Sequence, residues 1–115
     1  AYDPKKVFYS GMWAIINKKG NLNNEHIHPN SNLSAAYYVK APKGCGDFIV
    51  NNPSSISRNI FPKRETPTEL NRLIAKHKVE EGDLLIFPAY LPHQVLPNES
   101  DEDRIVISFN LWIQR

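Results

Sequence analysis

The sequence predicts a mainly β domain. Nine prolines and repeated turn clusters divide the 115 residues into short segments, many of them rich in β-branched or aromatic residues. Several short strands with turn signals between them are typical of a β-sandwich, a jelly roll or a small barrel. The length is that of one domain and no composition shift marks a boundary, so we expect residues 1–115 to form a single domain.

The strand pattern recurs along most of the chain. Val7–Ile16 is an aromatic and β-branched run that ends at the turn sequence NKKGN. Leu33–Lys40 and Asp47–Val50 follow, and the turn sequences APKG and NNPSS close them. Asp83–Phe87 is a nearly continuous apolar run, which indicates a buried strand.

The last predicted strand, Arg104–Ile113, alternates at its start. Ile105 stands on one face, and Ser108 and Asn110 stand on the opposite face. Either polar side chain can therefore line a pocket if the strand turns that face inward.

One segment, residues 66–77, fits two structures. Thr68 can cap a helix on which Leu70, Leu73, Ile74 and His77 share a face. Read from Arg72, the same residues alternate as a strand, RLIAKHKV. The sequence leaves both interpretations open.

Charge and cysteine content exclude several classes of protein. The 14 basic and 12 acidic residues are interspersed, so no basic block favours a nucleic-acid or membrane-surface role. No apolar run approaches the roughly 18 residues of a membrane span, and the start AYDPKK is not a signal peptide. The single Cys45 cannot form an internal disulfide, which fits a reducing, cytoplasmic setting.

Two of the four histidines, His26 and His28, are separated by one residue. On an extended strand their side chains point to the same side. Two neutral imidazoles that converge suit Fe, Zn, Cu or Ni better than Mg or Ca. Glu25 is adjacent but would face the other way. The stretch therefore predicts part of a metal site.

His93 is the candidate third ligand. It follows a buried run and is presented by a connection that Pro88 and Pro92 make rigid. Arg104 opens the last strand, and we expect it to point into the same cavity as His93 on an adjacent strand. A guanidinium inside an apolar barrel is costly unless paired. Its natural partner is a carboxylate, which it can grip through two hydrogen bonds.

These residues carry a resemblance to a known family. HIHPNSNLSAAYYVKAP, EEGDLLIFPAYLPHQVLPN and RIVISFN, in that order, resemble the 2-oxoglutarate and Fe(II)-dependent oxygenases found widely in marine bacteria and their phages. The resemblance covers roughly residues 13–111. It implies a cupin-like double-stranded β-helix, or jelly roll, with Fe(II) at one end and 2-oxoglutarate beneath it.

The resemblance also implies roles for individual residues. His26, His28 and His93 match the metal ligands, and Arg104 matches the basic residue that binds the far carboxylate of 2-oxoglutarate. Tyr37 matches a tyrosine that often supports this carboxylate. Ser108 and Asn110 are further candidates for the cofactor pocket.

The chain departs from the family pattern at the metal. The superfamily normally uses two histidines and one carboxylate, and His28 stands in the place of the carboxylate, so the site would hold three histidines. Two smaller differences, Ala35 after Ser34 and Val106 after Ile105, are ordinary variation.

The resulting hypothesis is a dioxygenase that uses Fe(II), 2-oxoglutarate and O2. It would oxidise a substrate, by hydroxylation, while 2-oxoglutarate is decarboxylated to succinate. The alternatives are a non-catalytic cupin-like metal-binding module and a three-histidine oxygenase that uses no 2-oxo acid. The substrate, a small molecule or a protein, cannot be read from the chain. A nucleic acid or a membrane is not expected as a partner, and homodimerisation stays open.

Overall fold

A computed structural model of the chain describes residues 3–51 and 74–114. Within these ranges the chain forms a short 3-10 helix, Pro4–Lys6, and eight β-strands. The strands are β1 (Val7–Asn17), β2 (Asn23–His26), β3 (Leu33–Lys40), β4 (Phe48–Asn51), β5 (Ile74–His77), β6 (Leu84–Pro88), β7 (His93–Val95) and β8 (Arg104–Ile113). No helix in the described ranges is long and apolar enough to cross a membrane.

The strands form two antiparallel sheets of four. One sheet has the order β1-β8-β3-β6, and the other has the order β2-β7-β4-β5. Consecutive strands mostly belong to different sheets, so the chain repeatedly crosses from one sheet to the other. This architecture confirms the prediction of an all-β jelly roll.

The strand boundaries agree closely with the sequence pattern. Leu33–Lys40 and Arg104–Ile113 are strands with the predicted ends. In the ambiguous segment, Ile74–His77 is a strand that pairs with β4, as the alternating interpretation expected. The helical interpretation is wrong for these four residues, and residues 66–73 lie outside the described residues.

Side-chain alternation separates an inner from an outer face in the β1-β8-β3-β6 sheet. The inner face contributes to a buried cluster between the sheets, whose members are Ala36, Tyr38, Cys45, Phe48, Val79, Phe87, Val95 and Val106. The outer face carries Tyr37, which is 40% exposed and lies between Ile107 and Leu84 on the neighbouring strands. Six members of the cluster also line the cavity described next: Ala36, Tyr38, Phe48, Phe87, Val95 and Val106.

Candidate active site

A cavity of about 390 Å³ lies between the two sheets. Every described strand except β5 contributes to its wall. Its polar lining includes His26, His28, His93, Arg104, Ser108 and Asn110, and its apolar lining includes Trp13, Phe48 and Phe87. The cavity therefore brings together six of the seven residues that the sequence analysis selected.

Three histidines converge in this cavity. The ligand atoms of His26, His28 and His93 all lie within 4.8 Å of one another. The Nε2 atoms of His28 and His93 are 3.2 Å apart, and the ring centroids of His26 and His93 are 4.3 Å apart. In the part of the chain that the structure describes, no Asp, Glu or Cys joins this group.

Strand pairing explains the convergence. His26 ends β2 and His93 begins β7, and the two residues face each other in the antiparallel register of these strands. His28 lies beyond the end of β2, where its main-chain N–H donates a hydrogen bond of 2.9 Å to Ala89 O. Because β2 ends at His26, the expectation that both residues share one strand is wrong for His28. His28 instead contacts Ala89 through its main chain and His93 through its ring.

Main-chain carbonyls orient two of the three rings. Nδ1 of His26 lies 2.6 Å from Asn24 O, and Nδ1 of His93 lies 2.9 Å from Leu91 O. A carbonyl accepts only, so each Nδ1 carries the proton and donates it, which leaves Nε2 with a free lone pair. A carbonyl behind each ligand is the usual support of a metal-binding histidine.

The environment keeps His28 and His93 neutral. Burial above all, together with the nearby rings of His26 and His28, lowers the pKa of His93 to about 4, although the hydrogen bond to Leu91 acts in the opposite direction. Burial also lowers the pKa of His28. The rings of Phe48 and Phe87 pack against His93, with centroids 5.6 and 4.6 Å away. Neutral imidazole is the form that binds a metal.

The remaining candidates near the histidines point elsewhere. Glu25 borders the cavity, but its carboxylate accepts a hydrogen bond from the side chain of Asn51 and does not belong to the converging group. The exposed ring of His77 lies 3.1 Å from Asp83 and is also outside the group. The described residues thus offer a three-histidine site, in which His93 joins the pair His26 and His28 that the HxH spacing selected.

Arg104 is completely buried in the cavity wall, with an exposed fraction of 0%. The prediction that Arg104 and His93 lie on adjacent strands is wrong. Arg104 is on β8, which lies between β1 and β3, whereas His93 is on β7, which lies in the opposite sheet between β2 and β4. Arg104 and His93 share a cavity because the cavity lies between the sheets.

Among the described residues, the guanidinium of Arg104 is held by neutral acceptors. Nη1 donates to Leu96 O at 2.8 Å and to Cys45 O, and Nε donates to Asn17 Oδ1 at 3.4 Å. Among the described residues, Nη2 is the one buried side-chain nitrogen or oxygen without a hydrogen-bond partner. Burial lowers the pKa of Arg104, and the charge is offset by no carboxylate in the described ranges.

The tyrosine pair is placed differently from the prediction. Tyr37 is on the outer face of β3 and does not line the cavity, so its assignment to the pocket is wrong. Tyr38 is on the inner face, is 1% exposed and does line the cavity. Burial raises the pKa of Tyr38 to about 12, against the opposing effect of the nearby charge of Arg104.

Ser108 and Asn110 both line the cavity, as the alternation in the last strand allowed. Asn110 Oδ1 accepts a hydrogen bond of 2.8 Å from the hydroxyl of Ser34, which is directly opposite it on β3. Ser34 and Tyr38 were missed because the sequence does not say which face of LSAAYYVK is buried. Placing Ser34, Ala36 and Tyr38 on one inward face would have identified both.

A known protein family matches almost the whole chain. Residues 11–110 match the model of a protein family described as "Putative 2OG-Fe(II) oxygenase". The chain belongs to this family. The metal of this family is Fe(II), and its cosubstrate is 2-oxoglutarate. No curated protein matches the chain by sequence.

Solved structures of other 2OG-Fe(II) oxygenases share the fold. A 2OG-Fe(II) oxygenase family oxidoreductase from Burkholderia pseudomallei has a TM-score of 0.69 at 13% identity, and the match covers 92% of this chain and 45% of that one. A Pseudomonas putida prolyl-4-hydroxylase has a TM-score of 0.58 at 19% identity, covering 90% and 50%. HygX from Streptomyces hygroscopicus, solved with nickel, 2-oxoglutarate and hygromycin B bound, has a TM-score of 0.62 at 13% identity, covering 94% and 57%.

The chain thus spans roughly half the length of these structures, and the likeness concerns the jelly-roll fold. The residues of this oxygenase-family domain also fit Fe(II) and 2-oxoglutarate. Three imidazole nitrogens suit Fe(II), and Nη2 of Arg104, which has no hydrogen-bond partner among the described residues, suits a carboxylate.

Proposed function

We propose that this domain is a non-haem Fe(II) and 2-oxoglutarate-dependent dioxygenase that hydroxylates an organic substrate and converts 2-oxoglutarate to succinate. One observation carries the proposal: a buried arginine with no carboxylate partner among the described residues and a cluster of three histidines line the same cavity. The first needs an anion and the second binds a metal, and a 2-oxo dicarboxylic acid on Fe(II) satisfies both.

The three histidines would hold the metal. The Nδ1 atoms of His26 and His93 donate to main-chain carbonyls, which fix these two rings, and the ligand atoms of all three histidines lie within 4.8 Å of one another. Bound Fe(II), with 2-oxoglutarate and O2, supplies the oxidising power. The protein contributes geometry and water exclusion, the latter through Phe48 and Phe87, which pack against His93.

Arg104 would bind the far carboxylate of 2-oxoglutarate. Ser108 pairs with Trp13, whose ring is 6.1 Å from that of His28, so the histidine end of the cavity lies near Ser108. Arg104 is four residues further along the same strand, about 13 Å away at roughly 3.3 Å per residue. The length of an arginine side chain and that of an extended five-carbon diacid can together bridge such a span.

The hydrogen bonds of Arg104 decide how the carboxylate would bind. A guanidinium has five N–H bonds. The bonds of Nε and Nη1 are used by Asn17, Cys45 and Leu96, and only those of Nη2 remain. We therefore propose that the carboxylate binds Nη2 alone, with the hydroxyl of Tyr38 in place of Tyr37 as the second donor.

The same arginine argues against both alternative functions. A structural metal module and an oxygenase without a 2-oxo acid each leave Arg104 as a buried cation that no carboxylate of the described residues compensates. Such a charge costs several kcal/mol in a protein interior. An anionic cosubstrate removes this cost, so the 2-oxoglutarate-dependent reaction is favoured.

Residues 52–73, between β4 and β5, lie outside the described residues. The interspersed charge still disfavours nucleic acid, the single unpaired cysteine still favours a cytoplasmic setting, and homodimerisation remains open.

Conversion of 2-oxoglutarate to succinate, with Fe(II) and ascorbate and without added substrate, tests the proposal. We expect slow uncoupled turnover that His93→Ala abolishes and Arg104→Ala reduces at least about tenfold in kcat/KM for 2-oxoglutarate. Lys19→Ala, which removes an exposed positive charge, is the control and should retain turnover. Metal binding in wild type without any binding of 2-oxoglutarate would instead support the structural-metal alternative.

A further inference from the structure

Two chain segments hold the guanidinium of Arg104 from one side, and they pack against each other. Leu96 N–H donates to Asp47 O at 3.0 Å, and Glu99 N–H donates to Gly44 O at 2.9 Å. These bonds join residues 44–47 to residues 96–99. Each segment supplies one acceptor for Nη1, since Cys45 O belongs to the first and Leu96 O to the second.

Gly46 is the point of closest approach between these segments. Its φ of +94° lies in the region that L side chains rarely adopt. A Cβ built on Gly46 would lie 2.7 Å from Pro97 O and closer still to Leu96 O. Both neighbours are main-chain atoms, which cannot swing away as the end of a flexible side chain would. Any side chain at position 46 would therefore push the two segments apart.

The atom most affected is also one of the acceptors that hold Arg104. Leu96 O would be the nearest contact of a Cβ at position 46, and it accepts the 2.8 Å hydrogen bond from Nη1. Cys45 O, the other acceptor, is in the peptide group that precedes Gly46. Displacement of this residue thus disturbs both acceptors of Nη1.

We propose that Gly46 is a positioning residue for the cosubstrate: its missing side chain lets the two segments close on Nη1, so that Nη2 alone is left for the far carboxylate. The inference rests on the proposed function, in which Arg104 binds 2-oxoglutarate. Its consequence is selective: a change at Gly46 weakens binding of a 2-oxo acid that has a second carboxylate. Pyruvate, which has the same 2-oxo acid group and no second carboxylate, is not affected in this way.

The test compares Gly46→Ala with Gly44→Ala. Gly44 lies in the same segment with a φ of +82°, but a Cβ on it would meet nothing within 4 Å, so its variant carries the backbone strain without the steric contact. Calorimetry on the Mn(II)-loaded protein measures the dissociation constants of 2-oxoglutarate and pyruvate. We expect the ratio of these constants to change roughly tenfold against 2-oxoglutarate in Gly46→Ala and to stay at the wild-type value in Gly44→Ala.

Three results would overturn the inference. An unchanged ratio in Gly46→Ala, with wild type still preferring 2-oxoglutarate, would reject the role of Gly46 but not that of Arg104. An equal loss in Gly44→Ala would assign the effect to backbone strain. A wild type that binds pyruvate as tightly as 2-oxoglutarate would reject the role of Arg104 and, with it, the inference.

A second variant decides the question if Gly46→Ala does not fold. Asn17→Ala removes the acceptor of Nε at 3.4 Å and leaves the main-chain contacts of Asn17 intact. Because this hydrogen bond is long, we expect a smaller change of the same ratio, about threefold against 2-oxoglutarate. An unchanged ratio in Asn17→Ala would reject the positioning of Nη2 by its neighbours.

Discussion

His28 and His93 face each other through their Nε2 atoms at 3.2 Å, although 65 positions separate them in the chain. Burial lowers the pKa of both rings, so both are neutral at physiological pH. Two imidazole nitrogens bound to one metal ion at about 2.1 Å lie roughly 3.0–3.4 Å apart for angles between a right angle and a tetrahedral one. The observed separation therefore matches two ligands of one ion.

Removal of one ligand should abolish metal binding. We expect His93→Ala to weaken the binding of Ni(II) or Mn(II) by more than about 100-fold, because removing a ligand lowers metal affinity more than removing the hydrogen-bond partner of a ligand does. Titration calorimetry measures the affinity, and circular dichroism verifies the fold. His77→Ala, which alters a histidine outside the cluster, should leave the affinity unchanged. Equal affinities in wild type and His93→Ala would contradict the three-histidine site.

The tyrosine pair offers a matched test of the cosubstrate pocket. Tyr38→Phe should weaken the binding of 2-oxoglutarate to the Mn(II)-loaded protein about five- to tenfold, since it removes one hydrogen bond to a charged group. Tyr37→Phe, on the outer face of the same strand, should have no effect. Calorimetric dissociation constants for the two variants decide between the residues. The reverse order of effects would restore the assignment to Tyr37.

Tyr38 should also make the stability depend on alkaline pH. Its pKa is raised to about 12 in the folded state, whereas an unfolded tyrosine ionises near pH 10. The folded state thus retains a proton that the unfolded state loses, so the contribution is complete below about pH 10 and is lost as the pH rises toward 12. Urea unfolding of the metal-free protein between pH 8 and pH 11 should show a steeper loss in wild type than in Tyr38→Phe. Parallel pH profiles would show that Tyr38 is not buried as described.

Asn98, in the connection between β7 and β8, should be important for stability. Its side chain is fully buried, donates to Asn17 O at 3.0 Å and to Glu102 O at 2.8 Å, and accepts from Ser100 N–H at 3.0 Å. Asn98→Ala leaves these main-chain groups unpaired and should lower the free energy of unfolding by about 2–3 kcal/mol. Chemical denaturation measures this, with exposed Glu99→Ala as the control at less than about 0.5 kcal/mol. A loss below about 1 kcal/mol for Asn98→Ala would mean that water replaces these partners.

Much of the fold follows from local sequence. The turn clusters and the alternating or apolar runs predicted the strands Leu33–Lys40 and Arg104–Ile113 with their observed ends, and β1, β4 and β6 to within one residue at each end. No bounds were predicted for β2 and β7, and β5 was one of two open interpretations. The HxH spacing, the proline-framed His93 and Arg104 at the start of a strand selected the residues that the cavity brings together. Residue type and spacing are local properties, and for these features they were sufficient.

Three features depended on the tertiary structure. Which tyrosine faces inward depends on the face of β3 that packs against the opposite sheet, and alternation alone fits either face. The strand neighbours of Arg104 depend on how the chain divides between two sheets, which is a long-range property. The partners of its guanidinium are main-chain carbonyls of Cys45 and Leu96, and main-chain groups have no sequence signature. The sequence by itself therefore determined which side chains carry the chemistry, and packing between the sheets decided how they are oriented.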